Sequence, residues 1–183
     1  MRLARSSALV VAGAAVVLAV AVFRPDSTNG APPSLAPLPV RCQPALVRGQ
    51  APGVGGVFGS APLWYGVYAR YDAARNGFQL RGAPRTRHGW RVKILWLMRR
   101  RGARPIQVET KGPVKRAFVV ELGGQFPAPP RVRFVLDPRR PGAFDNPAVH
   151  NYPSYGYFKR AGCYSLTLTS GGRRWVARFG VGR

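Results

Sequence analysis

One stretch near the C-terminus decides the fold: CYSLTLTSGGRRWVARFGV, at residues 163–181. In its first half, Tyr and Leu alternate with Ser and Thr, which is the period-two pattern of a strand with one buried face. A Ser-Gly-Gly turn at residues 170–172 reverses the chain, and apolar residues then recur at every second position from Trp175 to Val181. The stretch therefore predicts a β-hairpin that packs one face against a core.

The same alternation recurs upstream. Residues 90–98 place Trp, Val, Ile, Trp and Met on one face, and the opposite face changes from Arg and Lys to Leu halfway along. This pattern predicts a central strand whose later half is buried on both faces. Shorter strands are predicted at residues 63–68, 78–80, 106–109, 116–122 and 131–136.

Turn-forming residues separate these strands. Asn76 and Gly77 form a turn dipeptide that predicts a hairpin-like break, and no apolar period of 3.6 follows residue 23. The glycine-rich residues 41–60 are predicted to form an irregular, mobile loop, and residues 137–153 a second loop with four prolines. We therefore predict an all-β fold, an antiparallel immunoglobulin-like β-sandwich of about seven to eight strands.

An apolar run precedes this domain. Residues 6–23 carry no charge and lie between Arg5 and Arg24, and the residues before them are positively charged. This pattern predicts one N-terminal hydrophobic helix, with a cytoplasmic N-terminus and an exported remainder. Residues 1–24 are thus a signal peptide or signal anchor, residues 25–41 a Pro-rich linker, and residues 42–183 the β-sandwich domain.

Two interpretations of the apolar run stay open. Its eighteen residues lie at the lower limit for a transmembrane helix, which needs about 20. Residues 19–21 read Ala-Val-Ala, which a signal peptidase could cut after Ala21. The chain is therefore either a single-pass protein of the cell membrane, with its C-terminal domain outside the cytoplasm, or a secreted protein.

The charge of the chain predicts its partners. Twenty-nine Lys and Arg against six Asp and Glu give a net charge of +23 over 183 residues. Such a surface attracts anionic lipid or anionic cell-wall polymer, whereas no nucleic-acid-binding module is recognisable. The candidate anion-binding residues lie at predicted turns, and the alternative is a solvated surface that keeps the domain soluble. They are Arg99, Arg100, Arg101, Arg104, Arg139 and Arg140.

The chain has two cysteines. Because an even number of cysteines in an exported protein favours pairing, we predict a disulfide between Cys42 and Cys163. Cys163 shares its parity with the outward-facing Ser and Thr residues of its strand, so the bond would hold the N-terminal segment across the outside of the final hairpin. The alternative is two buried free thiols.

Few residues suit catalysis. The two histidines, His88 and His150, each lie beside a turn. His150 with Asp145 and Ser154 could be drawn as a triad, but residues so close in sequence rarely form one. The ligand spacing of a metal site is absent. We therefore predict no catalytic residue, metal or cofactor, with an envelope hydrolase using His150 as the alternative.

Several tyrosines offer another kind of site. Aromatic rings can line a face that binds sugar or peptide, although such residues more often belong to the core or to cross-strand pairs. The residues concerned are Tyr65, Tyr68, Tyr152, Tyr155 and Tyr157.

The C-terminal region also carries a resemblance. Residues 153–166, PSYGYFKRAGCYSL, lead through Gly172 to the strand at 175–179. They are similar to the ends of uncharacterised exported bacterial proteins, which close on a Gly-Cys-aromatic hairpin after a Pro- and aromatic-rich loop. The strand at 89–96 also resembles theirs. The resemblance implies an exported β-sandwich and no particular reaction.

These observations together predict a non-enzymatic, extracytoplasmic domain associated with the cell envelope. Its charge favours anionic lipid or wall polymer as a ligand. The alternatives are the hydrolase and a structural subunit of a membrane complex.

Overall fold

The computed structural model describes residues 36–39, 42–43, 46–123, 129–142 and 146–183, all of them within one compact unit of residues 34–183. Thirteen strands form in these residues. They are β1 (Arg48–Ala51), β2 (Val54–Ser60), β3 (Leu63–Val67), β4 (Arg70–Asp72), β5 (Gly77–Gln79), β6 (Arg85–Thr86), β7 (Gly89–Arg99), β8 (Ile106–Lys111), β9 (Phe118–Leu122), β10 (Arg133–Leu136), β11 (Val149–Phe158), β12 (Gly162–Ser170) and β13 (Arg173–Gly182).

The strands form two sheets. Sheet A has the order β1-β2-β3-β7-β11-β9, with β6 also paired to β7, and sheet B has the order β10-β8-β12-β13-β5-β4. Neighbouring described strands pair antiparallel except β5 and β13, which are parallel. The all-β prediction is confirmed. The predicted N-terminal helix lies outside the described residues, and among those described no helix is long and apolar enough to cross a membrane.

The two sheets pack face to face around one aromatic-rich core. Trp96 of sheet A contacts Phe134 of sheet B with ring centroids 5.6 Å apart, and Phe158 contacts Tyr164 at 5.2 Å. The predicted C-terminal hairpin is confirmed as β12 and β13, which pair along their whole length around a two-residue turn. Its inward positions all contribute to this core.

Strand β7 lies in the middle of sheet A, between β3 and β11. Its later half is apolar on both faces, as predicted, because the outer face of the sheet carries a second, smaller cluster. In that cluster Leu97 is only 2% exposed and packs with Trp64 and Val149.

The strand count differs from the prediction of about seven to eight. Strands β4, β5 and β6 have three, three and two residues, too few to show a period. The prediction of a mobile loop at residues 41–60 was wrong for β1 and β2, whose glycines hide the alternation. The second predicted loop ends earlier than expected, because β11 begins at Val149.

The disulfide prediction is confirmed. Cys42 and Cys163 are bonded, with their Cα atoms 5.7 Å apart, and Cys163 lies on the exposed face of β12. The bond attaches what we call the N-terminal strap, residues 36–39, 42–43 and 46, to sheet B. Residues 36–39 fall in the predicted linker, yet Leu38 is buried and the Arg183 amide donates to the Ala36 carbonyl at 3.1 Å.

Asn76 is the second attachment of the strap. This residue of the β4–β5 turn is 1% exposed. Its Oδ1 accepts hydrogen bonds from the Leu46 amide at 2.9 Å and the Tyr71 hydroxyl at 2.8 Å. Its Nδ2 donates to the carbonyls of Cys42 and Arg178, at 2.5 and 2.9 Å. The side chain thus joins the strap, the β4–β5 hairpin and β13.

Candidate functional site

The arginines predicted to bind anions gather at one end of the two sheets. The first group spans the end of β7 and the turn before β8. Arg139 and Arg140 follow β10, whose last residue, Leu136, pairs with the first residue of β8. The Arg139 amide donates to the Asp137 carboxylate at 2.9 Å. We call these residues, Arg99, Arg100, Arg101, Arg104, Arg139 and Arg140, the arginine end.

The five tyrosines considered as ligand-binding residues differ in exposure, which their sequence pattern did not predict. Tyr65, Tyr152 and Tyr157 are buried, whereas Tyr68 is 62% exposed and Tyr155 38% exposed. An exposed aromatic ring can stack on a sugar ring or attract a cation. Only the exposed two of these tyrosines are therefore available for a ligand.

Both exposed tyrosines line the same cleft, which we call the tyrosine cleft. It has a volume of about 530 Å³ and lies where the β3–β4 turn and the β5–β6 loop meet the outer face of β7 and β11. Lys93 precedes Arg99 along β7 by six residues, so the cleft is roughly 20 Å from the arginine end. It is lined by Tyr68, Ala69, Arg70, residues 79–84, residues 91–93 and Tyr155.

Each exposed ring lies beneath a cation. The Arg91 guanidinium carbon is 4.9 Å from the centroid of the Tyr155 ring, and the Lys93 ammonium is 5.2 Å from that of Tyr68. A cation at this distance is attracted to the ring face by about 0.5–1 kcal/mol at an exposed site. These contacts hold both side chains of each pair at the surface of the cleft.

The arrangement follows from strand geometry. Arg91 and Lys93 alternate with the buried Val92 and Ile94, so β7 directs both cations to the outer face. Tyr155 pairs with Lys93 across the sheet, and the Tyr68 amide donates to the Lys93 carbonyl at 3.0 Å. The two rings therefore flank Lys93, with Tyr155 on β11 to one side and Tyr68, directly after β3, to the other.

The cleft is cationic. Its described lining carries Arg70, Arg81, Arg91 and Lys93 and no Asp or Glu. Across the sheet from Lys93, the next residue beyond Tyr155 is an acid, Glu121 of β9. Its carboxylate accepts a hydrogen bond from the Tyr157 hydroxyl. The cleft can therefore offer ammonium and guanidinium donors to phosphate, sulfate or carboxylate groups.

The buried Tyr157 beside the cleft predicts an alkaline limit of stability. Burial and the hydrogen bond to Glu121 raise the pKa of Tyr157 to about 12, while an unfolded tyrosine ionises near pH 10. Stability should therefore be unchanged by this group below about pH 10 and fall as pH rises to about 12, by roughly 1 to 2 kcal/mol. Thermal unfolding between these pH values measures the fall.

The variant Tyr157→Phe should show a shallower fall with pH than the natural chain. Glu121→Gln keeps the hydrogen-bond acceptor but removes the charge, so it should lie between the two. Parallel curves for all three chains would contradict the assignment of this titration to Tyr157.

The triad drawn on His150 is not assembled. Ser154 lies four residues further along β11, roughly 13 Å away. Its Oγ is buried, accepting from Trp96 Nε1 at 2.8 Å and donating to the Ile94 carbonyl at 3.1 Å. Asp145 lies outside the described residues. Burial and the nearby Arg100 guanidinium lower the pKa of His150.

The other histidine, His88, contacts its neighbours Arg87 and Tyr157. His88 Nε2 accepts a hydrogen bond from Arg87 at 3.1 Å, and its ring contacts Tyr157 edge-on at 5.5 Å. Within the part of the chain that the structure describes, no group of three or more His, Cys, Asp or Glu side chains could hold a metal ion.

Sequence reasoning missed the cations of the tyrosine cleft. Clusters of arginine at turns predicted the arginine end, whereas Arg91 and Lys93 lie on a strand and are separated by the core residue Val92. The alternation of β7 places both cations on the outer face, but the cleft also needs two exposed tyrosines from elsewhere in the chain, one in the β3–β4 turn and one on β11.

Comparison with known proteins gives no match, either to family models, to curated proteins or to solved structures.

Proposed function

We propose that this protein binds an anionic, sugar-containing polymer of the cell envelope in the tyrosine cleft. The observation that carries the proposal is the pairing of two exposed tyrosines with two cations in a cleft whose described lining has no acid. Sugar rings stack on tyrosine faces, and their phosphate, sulfate or carboxylate groups accept hydrogen bonds from arginine and lysine. No reaction is part of the proposal.

The location is part of the same proposal. The apolar run at residues 6–23 would hold the domain at the membrane, with residues 42–183 outside the cytoplasm, or would be cleaved after Ala21 to release it. A net charge of +23 would keep the domain close to anionic wall polymer or lipid in either case.

Two further proposals concern kinship and fold. We place the chain among exported bacterial proteins that end in a Gly-Cys-aromatic hairpin, supported by residues 153–166. We also assign it an immunoglobulin-like topology, for which the support is two antiparallel-rich sheets around one core.

Binding of the purified full-length chain to dextran sulfate tests the proposed function. Dextran sulfate should bind, with an affinity that falls steeply as salt rises, and uncharged dextran should not. Replacing both exposed tyrosines, Tyr68→Ala with Tyr155→Ala, should weaken binding about tenfold or more, since each stacked ring contributes roughly 1 kcal/mol.

A matched pair of charge variants distinguishes the cleft from diffuse attraction. Arg91→Ala with Lys93→Ala and Arg101→Ala with Arg104→Ala each remove two exposed positive charges. Only Arg91→Ala with Lys93→Ala should lower the affinity for dextran sulfate as much as the tyrosine substitutions do. Equal losses from both pairs, or equal binding to polyphosphate and to vesicles of anionic lipid, would contradict a site for sugar-containing polymer.

A further inference from the structure

A second surface lies on the side of the domain, where sheet B is incomplete. Residues 173–181 of strand β13 pair with β12, but β5 covers the other edge of β13 only at Gly180, Val181 and Gly182. No other described strand pairs with that edge. The part of β13 that includes Arg174 and Val176 is therefore an open sheet edge within the described residues, and it ends before Arg178, whose carbonyl accepts a hydrogen bond from Asn76 Nδ2 at 2.9 Å.

The backbone groups at this edge point away from the sheet. In antiparallel pairs, successive residues direct their N–H and C=O groups alternately to the two sides. The Gly180 amide donates to the Asn76 carbonyl at 2.8 Å, and the Arg178 carbonyl accepts from Asn76 Nδ2. Even-numbered residues of β13 thus face away from β12, so Arg174 and Val176 present unpaired backbone groups there.

An apolar cleft opens directly beside the same edge. It has a volume of about 190 Å³ and lies between the two sheets, where a further strand on sheet B would close the gap. Two of the residues around it, Val47 and Val176, are 70% and 41% exposed. The cleft is lined by Leu46, Val47, residues 59–60, residues 62–63, Tyr65, Ile106, Leu168 and residues 175–177.

We propose that this edge of β13 binds an extended acidic peptide as an added strand. Main-chain hydrogen bonds to the backbone of Arg174 and Val176 would hold the peptide, as in other cases of strand addition to an exposed edge. Side chains opposite Trp175 and Ala177 enter the apolar cleft, because cross-strand neighbours share a face of the sheet.

Charge selects an acidic partner. Arg174 and Arg178 are exposed and point to the outer face, where the Arg178 guanidinium also donates to the Gln43 carbonyl at 3.0 Å. Residues of a bound strand that face these two arginines must be compatible with guanidinium groups. Opposite charges across a strand pair stabilise it and like charges destabilise it. An antiparallel pair of two copies of this chain, centred on Val176, would place Arg174 against Arg178 at both ends. A second copy is therefore disfavoured as the occupant.

A designed peptide tests the proposal with the full-length chain. The probe is fluorescein-Gly-Ser-Glu-Val-Thr-Val-Glu-Ser-Gly-amide, which presents valines to the cleft and glutamates to the two arginines in either strand direction. Fluorescence anisotropy should show saturable binding. The same peptide with Lys in place of Glu, or with N-methyl groups on the amides that face β13, should bind at least tenfold more weakly.

Variants of the chain locate the edge. Val176→Pro removes the unpaired N–H but no hydrogen bond to β12, and proline is tolerated where the N–H faces solvent. It should reduce peptide affinity at least tenfold. Val135→Pro is the matched control, because Val135 is exposed on β10, the edge strand at the opposite side of sheet B. It should leave affinity unchanged.

Other results would overturn the proposal. They are no binding of the parent peptide, equal binding of the N-methylated peptide, or a loss on Val135→Pro that Val176→Pro does not cause. If Val176→Pro failed to fold, Arg174→Glu would replace it. That variant should bind the glutamate peptide more weakly and the lysine peptide more tightly. Unchanged affinities for both peptides would contradict peptide binding at this edge.

Discussion

Replacement of Asn76 by alanine should lower the free energy of unfolding by about 3 to 5 kcal/mol, a large effect for a single residue. The substitution leaves the Leu46 amide and the carbonyls of Cys42 and Arg178 without their partner. Each buried polar group that loses its hydrogen bond costs about 1–3 kcal/mol. Urea denaturation of the full-length chain, followed by tryptophan fluorescence, measures the change.

Two further substitutions of Asn76 separate the contribution of its backbone conformation from that of its side-chain hydrogen bonds. Asn76 has φ of 47°, a left-handed conformation that costs alanine roughly 1 kcal/mol more than glycine. Asn76→Gly should therefore be less destabilising than Asn76→Ala by about that amount. Asn76→Asp keeps the two accepted hydrogen bonds but turns a carboxylate oxygen towards two carbonyls, so it should be at least as destabilising as alanine. A loss below about 1 kcal/mol for alanine would contradict the role of Asn76.

Removal of the disulfide should have an effect of similar size. Cys42 and Cys163 are separated by 121 residues, and a closed loop of that length stabilises the folded chain by about 4 to 5 kcal/mol in the chain-entropy model. The double variant Cys42→Ser with Cys163→Ser should lose most of this, as should the natural chain after reduction. Thermal unfolding with and without reductant measures both losses.

The double variant supplies the control for reduction, because reductant should not change its unfolding temperature. Mass spectrometry of non-reduced peptides should show the two cysteines linked. Two free thiols, or an unfolding temperature that reduction leaves unchanged, would contradict the disulfide.

The two attachments of the N-terminal strap should be coupled. Asn76 and the disulfide both hold residue 42 against sheet B. Removing either contact should loosen the strap and so weaken the other contact. Combining Asn76→Ala with the cysteine variants should therefore cost less than the sum of the separate losses. Additive losses would indicate that the two contacts act independently.

The candidate site was only partly accessible to sequence reasoning. The strand faces of Arg91 and Lys93 follow from alternation, but the cleft that they line also needs Tyr68, which follows β3, and Tyr155 of β11. The arginine end was visible as runs of basic residues, yet both exposed tyrosines, Tyr68 and Tyr155, lie in the tyrosine cleft instead. Asn76 was recognised as a turn residue, whereas its four side-chain hydrogen bonds come from partners up to 102 residues away.

The features that could be predicted from the sequence are local in origin. The inward and outward positions of β7, β12 and β13 follow from the two-residue period of a strand, because successive side chains point to opposite faces whatever the neighbours are. The pairing of the two cysteines was predicted from their even number. The exposure of individual tyrosines, the position of the open strand edge and the groups that Asn76 joins could not be predicted in this way. These features depend on the order of strands in the sheets, which is set by packing between distant segments.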